Sequence, residues 1–264
     1  MTEHRRDAPA GSQVVGLVPA AGLATRLGRP SDSKELLPVW LPKTSNGEPP
    51  RAAIHCLLSA FEVAAVDRTV IVFRSGKEDI PDALGPATRG GMRLDYVRVE
   101  ETPSPPFTLS AAIPAVGGAQ VLMGFPDILF EPPDAAREVL DCLRSLDADV
   151  VLGLFRHPRV RRADLVEVES TGVVRSIARG GAPKRSDWTW GLAAWRPSFT
   201  AFLRDFVGGT DPANPSASCL GLGDVIMSAI ESGMSVHYKV VSDLPFHDIG
   251  TPDGIAEAYR KLQE

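Results

Sequence analysis

Residues 14–40, VVGLVPAAGLATRLGRPSDSKELLPVW, constrain the fold of this chain more than any other stretch. The apolar run at residues 14–18 predicts a strand that is buried on both faces. Residues 19–22, PAAG, then form a turn with such small side chains that a ligand can approach the backbone closely. Peptide N–H groups in such a turn converge on an anion, and Arg26 and Lys34 add positive charge. The stretch therefore favours a polyphosphate ligand.

The two best-known phosphate-binding signatures do not match this stretch. No Gly-Lys-Ser/Thr follows the turn, which disfavours a Walker-type loop. Ala20 and Ala24 stand where the dinucleotide-binding fingerprint requires glycine, which disfavours a Rossmann dinucleotide site. By itself, the stretch leaves open an ordinary strand-to-helix turn with two solvated cations.

The order of small residues, arginine and lysine resembles the signature of the sugar-1-phosphate nucleotidylyltransferases, typified by glucose-1-phosphate thymidylyltransferase. That signature is L-A-G-G-x-G-T-R-L, a variable spacer, then S-K-x-L-L-P-V. Here residues 19–27 are PAAGLATRL and residues 33–39 are SKELLPV. Ala21 and Ala24 replace two of the family's glycines. Because alanine has less freedom in φ than glycine, we expect an altered fit around the nucleotide.

The resemblance implies a fold, a reaction and several residue roles. The fold is α/β, with a mostly parallel, doubly wound sheet of the Rossmann-like or GT-A-like type and a small antiparallel β lobe. In the reaction, a sugar 1-phosphate attacks the α-phosphorus of a nucleoside triphosphate and pyrophosphate leaves. Arg26 would hold the pyrophosphate, and Lys34 would neutralise charge at the α-phosphate. The nucleotide-binding residues implied in this stretch are Ala20, Ala21, Gly22 and Thr25.

Length and charge limit the domain organisation and the partners. A chain of 264 residues can bury one α/β core. We predict a disordered leader at residues 1–13 and one nucleotidyltransferase domain at residues 14–264, with the β lobe at roughly 155–200. The net charge of −5 argues against nucleic-acid and anionic-membrane partners. A homo-oligomer is compatible with the resemblance.

The cysteines and the apolar runs indicate a cytoplasmic protein. Cys56, Cys142 and Cys219 are odd in number and far apart, which is typical of buried thiols in a reducing compartment. We interpret His55, beside Cys56, as a packing residue. No apolar run approaches the roughly eighteen residues of a membrane span, and the leader lacks the apolar core of a signal peptide.

Alternating strand and helix patterns follow the first turn. A helical pattern at residues 51–66 and a buried strand at residues 69–73 predict a parallel βαβ unit. Two short apolar segments, residues 165–168 and 173–177, flank Thr171-Gly172 and predict a hairpin. This hairpin would belong to the β lobe.

The nucleobase region departs most from the family pattern. The family has Q-P-x-P-x-G-L-A-x-A, in which the glutamine and the first glycine contact the base. Residues 108–112, TLSAA, resemble its G-L-A-x-A part, with Thr108 at the glycine position. Glu100 or Glu101 stands near the glutamine. A carboxylate only accepts hydrogen bonds, so it favours guanine or an amino group over thymine.

Two distant acidic residues are predicted to hold Mg²⁺. Asp127 follows a buried strand, at the carboxyl end where ligands bind in open α/β sheets. Asp248 lies in FHDIGTPDGI, residues 246–255, which closely resembles the family's W-x-D-T/I-G-T-P-E-x-L. The corresponding family aspartates are magnesium ligands, and hard carboxylates suit this ion. Capping of a turn is the alternative for each aspartate.

The sugar side matches more loosely. The family's phosphate-binding lysine lies in an E-E-K-P motif that is absent here, and either Arg179 or Lys184 could replace it. Trp190 and Gly191 align with the family's T-G-L-Y strand, and Trp190 offers either a stacking face or core packing. Asp164 stands where the family tends to have a sugar-contacting glycine. We therefore expect an acceptor other than simple glucose, either a sugar or a cyclitol.

Three other functions compete with this interpretation. Isoprenoid and cyclitol cytidylyltransferases also begin with P-A-A-G, but they lack the D-I-G-T-P ending. A catalytically silent module that senses nucleotides or sugar phosphates would explain the missing E-K-P and glutamine. A metal-dependent glycosyltransferase would use a D-x-D loop, but the Asp147-Ala148-Asp149 segment precedes a strand instead of following one.

Overall fold

The computed structural model describes residues 13–24, 27, 33–39, 51–157, 163–179 and 186–262. The strands are β1 Val14–Pro19, β2 Pro38–Val39, β3 Arg51–Ala52, β4 Arg68–Arg74, β5 Arg93–Val99, β6 Gln120–Gly124, β7 Ile128–Leu129, β8 Val150–Arg156, β9 Leu165–Val168, β10 Val174–Ala178, β11 Trp188–Trp195, β12 Val236–Ser242 and β13 His247–Asp248. The helices are α1 Ile54–Val63, α2 Asp79–Leu84, α3 Pro105–Ser110, α4 Ile113–Val116, α5 Ala135–Ser145, α6 Pro197–Gly208, α7 Leu222–Glu231 and α8 Pro252–Leu262. Two 3₁₀ helices lie at Lys34–Leu36 and Pro215–Cys219.

Within these described ranges, nine strands form one mixed sheet. Its centre is parallel: β1 lies between β4 and β6, and β4 also pairs with β5. On the other side, β11 runs antiparallel to β6 and β8, while β12 runs parallel to β8. The predicted α/β fold with a mostly parallel sheet is confirmed. The parallel βαβ unit formed by β1, α1 and β4 is confirmed as well.

Both faces of the sheet are buried, which explains the continuous apolar runs of its central strands. Alternate residues of one strand point to opposite faces, so Ile71 contributes to one hydrophobic cluster while Val70 and Val72 contribute to the other. The first cluster includes α1 and α5, and the second includes α3, α6 and α7. The sheet is therefore covered by helices on both sides.

The predicted hairpin is confirmed, but it does not form a sheet of its own. β9 and β10 are antiparallel, with Ala178 opposite Leu165. Leu165 also pairs with Thr189 of β11. The hairpin therefore extends the main sheet. Residues 158–162 and 180–185 of the predicted lobe lie outside the described residues, as does most of the predicted leader.

Two local predictions need correction. The helix predicted at residues 51–66 begins at Ile54 and ends at Val63, because residues 51–52 pair as β3 with β2. Helical periodicity cannot reveal such pairing with a distant segment. Among the three free cysteines, Cys219 is exposed, so the prediction that all three thiols are buried was wrong. No helix of the described chain has the length and apolar character needed to cross a membrane.

We expect the close packing of β1 against α1 to make Gly16 intolerant of any side chain. A Cβ at Gly16 would lie 2.2 Å from Oγ1 of Thr69 and 2.7 Å from Cδ2 of Phe61, and both residues are fully buried. Gly16→Ala should therefore lower the free energy of unfolding by about 1–3 kcal/mol in urea denaturation. Gly118→Ala is the control, since nothing lies within 4 Å of its Cβ position. Equal stability of the two variants would contradict this packing.

Candidate active site

The turn after β1 begins at the carboxyl ends of the parallel strands. The N–H group of Ala20 donates to the carbonyl oxygen of Val72 at 2.7 Å. The carbonyl oxygen of Ala20 accepts from Nζ of Lys77 at 2.9 Å. Ala20 therefore uses its N–H group within the fold and does not offer it to a nucleotide as predicted. Ala21 is half-buried and Gly22 is exposed, so the part of the turn that is open to the surface starts one residue later.

Ala24 adopts a backbone conformation that glycine adopts more readily. Its φ is 51°, in the left-handed region, and its carbonyl oxygen accepts from the N–H group of Leu27 at 2.9 Å. This conformation costs an alanine roughly 1–2 kcal/mol. The family signature has glycine here, so the chain keeps a glycine-like backbone in spite of the substitution. Thr25 and Arg26, predicted to contact nucleotide and pyrophosphate, lie outside the described residues.

Lys34 is presented by the short 3₁₀ helix Lys34–Leu36. Ser33, at its N-terminus, is held by Asp79 of α2, which accepts from the backbone N–H and the hydroxyl of Ser33 at 2.8 Å each. Lys34 is only 9% exposed, and its Nζ donates to Oδ2 of Asp127. The structure therefore brings together a predicted catalytic lysine and a predicted metal ligand.

Pairing between β7 and β13 brings the two predicted metal ligands side by side. Asp248 lies opposite Ile128 in this antiparallel pair, and the N–H group of Ile249 donates to the carbonyl oxygen of Asp127 at 3.0 Å. The two aspartates come from distant parts of the chain. Their proximity is therefore a product of the tertiary fold.

Gly250 marks the point where Lys34, Asp127 and Asp248 meet. A Cβ there would lie 2.8 Å from Oδ1 of Asp248, 2.9 Å from Oδ2 of Asp127 and 3.0 Å from Nζ of Lys34. The N–H group of Gly250 also donates to Oδ1 of Asp248 at 2.8 Å. The space between the three charged groups therefore exists because residue 250 has no side chain.

The two carboxylates keep Lys34 positively charged. Burial by itself lowers the pKa of Lys34, but the ion pair with Asp127 and the nearby charges of Glu35 and Asp248 outweigh it and raise the pKa. Lys34 is therefore an ammonium at neutral pH. It offers a fixed positive charge beside the two aspartates.

The donor set at this point fits a hard divalent cation. Asp127 and Asp248 direct carboxylate oxygens towards one small space, and Mg²⁺ typically takes one or two carboxylates together with water and phosphate oxygens. The described residues contain no group of three or more His, Cys, Asp and Glu side chains that could hold a metal by themselves. A metal bound here would therefore complete its coordination with water and substrate.

A cleft of about 1010 Å³ opens beside the two aspartates. Trp190 lines it but is only 5% exposed, because its ring packs against Phe125 at a centroid distance of 5.5 Å. Its side chain also hydrogen-bonds to Asp164, and an indole nitrogen can only donate. Gly191 is buried, with its Cβ position facing Ile128 and Phe155 at 3.5–3.6 Å. The structure therefore places Gly191 in the core instead of on the cleft.

Arg179 lies close to the cleft wall. Its Nε is 3.5 Å from Oδ2 of Asp224, which accepts from the N–H group of Gly221 at 2.7 Å. Gly221 lines the cleft, and Nη2 of Arg179 lies 3.1 Å from the Cβ position of Gly221. Arg179 is half-exposed and so can reach an anion there. Lys184, its alternative, lies outside the described residues.

Asp164, noted in the sequence only for its position, lines the cleft. Burial and the neighbouring charge of Asp224 raise its pKa, although Arg179 and the hydrogen bond from Trp190 oppose this shift. Oδ2 of Asp164 lies 2.3 Å from the Cβ position of Gly223, so the first turn of α7 tolerates no side chain there. The only sequence signal was an acid at a position where the family tends to have glycine.

His157 also lines the cleft and was missed. Its ring packs edge-on against Phe246, with centroids 5.5 Å apart, and its buried Nδ1 has no hydrogen-bond partner among the described residues. Burial and the neighbouring His247 lower its pKa, so the ring is neutral at pH 7. An isolated histidine just after a strand gives no signal in the sequence that it lies at a cleft.

The predicted nucleobase contacts lie apart from the charged group at Gly250. Thr108 is buried in α3, where its hydroxyl is 2.6 Å from that of Thr102. Glu101 is exposed, and Glu100 accepts from the hydroxyl of Ser75 at 2.7 Å. Neither Glu101 nor Thr108 lines the cleft described above. Their role in reading a base remains a prediction.

We expect Gly250→Ala to weaken metal binding, because the added Cβ would fill the space between the two carboxylates and Lys34. Affinity for Mn²⁺, measured by electron paramagnetic resonance, should fall about 10- to 100-fold, the range seen when residues around a metal's ligands are changed. Gly118→Ala again serves as the control, and circular dichroism should show that both variants are folded. Unchanged Mn²⁺ affinity in Gly250→Ala would contradict a metal at this point.

Comparison with known proteins supports the fold. No protein-family model matches the sequence, and no curated protein matches it. Solved structures match closely in shape. A glucose-1-phosphate thymidylyltransferase structure from Bacillus anthracis, in complex with sucrose, has a TM-score of 0.78 at 15% identity, covering 95% of this chain and 96% of that one.

Two further structures extend the likeness. UDP-glucose pyrophosphorylase from Acinetobacter baumannii has a TM-score of 0.74 at 17% identity, covering 96% of this chain and 94% of its own. The inositol-1-phosphate CTP transferase from T. maritima has a TM-score of 0.69 at 17% identity, covering 96% and 98%. These neighbours are all nucleotidylyltransferases that act on sugar or cyclitol phosphates. The resemblance found in the sequence is therefore matched by the three-dimensional structure, and the chain has the fold of these enzymes.

Proposed function

We propose that this chain transfers a nucleoside monophosphate from a nucleoside triphosphate to a sugar 1-phosphate and releases pyrophosphate. The observation that carries this proposal is the convergence of Lys34, Asp127 and Asp248 around Gly250, beside a large cleft. A lysine and two carboxylates in this arrangement suit a reaction between anions. The family signature around Lys34 and Asp248 supports the same reaction.

The chemistry requires charge neutralisation more than proton transfer. The attacking phosphate oxygen is already an anion at neutral pH, so no strong general base is needed. Its approach to the triphosphate is opposed by electrostatic repulsion, which the ammonium of Lys34 lowers at the α-phosphate. A divalent cation held by Asp127 and Asp248 would supply further positive charge to the phosphate oxygens.

The turn after β1 is proposed to hold the triphosphate. The N–H groups of Ala21 and Gly22 are the proposed backbone donors, and Thr25 and Arg26 come shortly after them in the chain. Arg26 would bind the leaving pyrophosphate as a guanidinium fork. Glu101 and Thr108 remain the proposed contacts to the base.

The acceptor is proposed to bind near Trp190, Asp164 and Arg179. Arg179 would grip the acceptor phosphate, with Lys184 as its alternative. Asp164 keeps spare acceptor capacity after the hydrogen bond from Trp190, because a carboxylate has about four lone-pair sites. Ring hydroxyl groups would fill that capacity. Gly191 is buried in the core, so we assign it no contact with the acceptor.

A cytidylyltransferase acting on a cyclitol phosphate is the second candidate. The observation that favours it is the structural likeness to an inositol-1-phosphate CTP transferase along nearly the whole of both chains. A protein that only senses nucleotides remains the non-catalytic alternative. The cytidylyltransferase differs from the first proposal in its substrates, and the sensor differs because it has no turnover. One assay therefore separates all three.

The reaction predicts pyrophosphate release by the purified protein with Mg²⁺. The assay combines each of the five common nucleoside triphosphates with glucose, galactose, mannose, N-acetylglucosamine and inositol 1-phosphates. We expect one combination to dominate, and chelation of the metal to abolish it. CTP with inositol 1-phosphate would establish the second candidate. Nucleotide binding by calorimetry without pyrophosphate release from any combination would contradict an enzyme and favour the sensor.

Loss of either proposed catalytic cation should slow the reaction strongly. We expect Lys34→Ala and Arg26→Ala each to lower kcat by about 10²–10³-fold, the usual effect of removing a group that stabilises transition-state charge. Lys239→Ala is the matched control, since Lys239 forms a surface ion pair with Glu138 at 3.3 Å. Full activity of Lys34→Ala in a folded protein would overturn the role of Lys34.

A further inference from the structure

Lys77 and Glu35 form a buried ion pair that the proposed chemistry does not use. Lys77 is 4% exposed and Glu35 is 1% exposed. Nζ of Lys77 lies 2.9 Å from Oε1 and 2.7 Å from Oε2 of Glu35. Replacing such a pair with well-packed apolar side chains is often neutral or stabilising. Stability alone is therefore a weak explanation for two charges at this depth.

Burial works against the charged form of both side chains. It lowers the pKa of Lys77 and raises that of Glu35, and the mutual attraction of the pair only partly compensates. The pair is tolerated in the core because each side chain provides the other with hydrogen bonds and an opposite charge. Removal of one partner would leave an uncompensated buried group.

Lys77 also reaches the turn after β1. An ammonium has three donors, and the partners of this one are the two carboxylate oxygens of Glu35 and the carbonyl oxygen of Ala20, at 2.9 Å. Ala20 is the residue from which the turn leaves the sheet. The contact from Lys77 therefore fixes the starting point of the proposed triphosphate-binding turn.

Glu35 links the same lysine to the proposed catalytic residue. It is the middle residue of the 3₁₀ helix Lys34–Leu36, directly after Lys34 in the chain. Lys34 directs its Nζ towards Asp127, whereas Glu35 directs its carboxylate towards Lys77. A three-residue 3₁₀ helix has poor internal hydrogen bonding, so outside contacts set its orientation. Glu35 supplies one of those contacts, and the contact from Asp79 to Ser33 supplies another.

We infer that Lys77 and Glu35 are positioning residues that hold the turn at Ala20 and the ammonium of Lys34 in a fixed relation to each other. This inference rests on the proposed function, because it assigns the pair to the alignment of triphosphate and lysine. Misplacement of a reacting group by about 1 Å can cost about 100-fold in rate. A rigid link between the turn and Lys34 would prevent such a loss.

The test compares single and paired replacements. Lys77→Met and Glu35→Leu each leave a buried group unpaired, so we expect a lower Tm. The double variant Lys77→Met/Glu35→Leu removes both charges, so its Tm should lie closer to that of the wild type. Its kcat should still be about 10- to 100-fold below wild type, because neither Ala20 nor Lys34 is held. The KM for the nucleoside triphosphate should rise, and the KM for the acceptor should stay unchanged.

A purely structural pair would behave differently. In that case the double variant would regain both its Tm and its kcat, which would overturn the inference. Glu35→Gln covers the possibility that the double variant fails to fold, because glutamine keeps the size and one acceptor for Lys77. We expect this variant to have a lower Tm, because the ammonium of Lys77 loses its counter-charge, and a lower kcat, because one contact that orients the 3₁₀ helix is weakened. Wild-type kcat in Glu35→Gln would also overturn the inference.

A more exposed ion pair, between Arg68 and Asp95 at 2.5 Å on β4 and β5, serves as the control. Both residues lie near the amino ends of these parallel strands, whereas the turn follows the carboxyl end of β1. The double variant Arg68→Met/Asp95→Leu should leave kcat and both KM values unchanged. A loss equal to that of the Lys77 and Glu35 double variant would mean that any lost ion pair slows the enzyme, and would overturn the inference.

Failure of the proposed function would be recognised separately. If the wild-type protein releases no pyrophosphate with any combination of substrates, the proposed function is wrong. The role of Lys77 and Glu35 is then tested by amide hydrogen exchange. Peptides covering residues 15–24 should then exchange faster in Lys77→Met/Glu35→Leu than in the wild type, while those of α5 should not. Unchanged exchange at residues 15–24 would show that the pair does not hold the turn.

Discussion

The repulsion between Asp127 and Asp248 is the constraint on which the rest of the site depends. Two carboxylates side by side in a partly buried cleft need positive charge, and Lys34 provides it. The short 3₁₀ helix that carries this lysine is itself in contact with Asp79, through Ser33, and with Lys77, through Glu35. A phosphate substrate and a divalent cation that bound here would lie in the electric field of these three groups, with the negative charge of the phosphate near the ammonium of Lys34.

The parallel sheet explains why these groups lie together at all. β1, β4 and β6 are parallel neighbours, so the segments that follow them emerge at one edge. The turn at Ala20 follows β1, Lys77 follows β4, and Asp127 follows β6. Asp248 joins them through the pairing of β13 with β7. With the 3₁₀ helix that carries Glu35, the fold therefore assembles a turn, a buried ion pair and two carboxylates from five separate segments.

The acceptor side is where this chain departs from the signature it resembles. Trp190 is almost fully buried and its ring contacts Phe125, and the wall of the cleft instead carries Asp164 beside the ion pair of Arg179 with Asp224. Carboxylates of this kind select ligands that donate hydrogen bonds, such as ring hydroxyls. The proposed choice of acceptor thus depends on residues that no shared motif contains.

The sequence by itself determined the elements and residues whose signals are local. Apolar runs predicted β1 and β4, and Thr171-Gly172 predicted the hairpin. The two motifs singled out Lys34 and Asp248, and a place at the end of a buried strand singled out Asp127. Only the tertiary structure decided the rest. Lys77 meets Glu35 across 42 positions of sequence, Ala20 uses its N–H group on Val72, and Gly191 turns into the core. Each of these depends on strand register and packing between distant segments, and such long-range contacts have no periodicity or spacing along the chain from which they could be predicted.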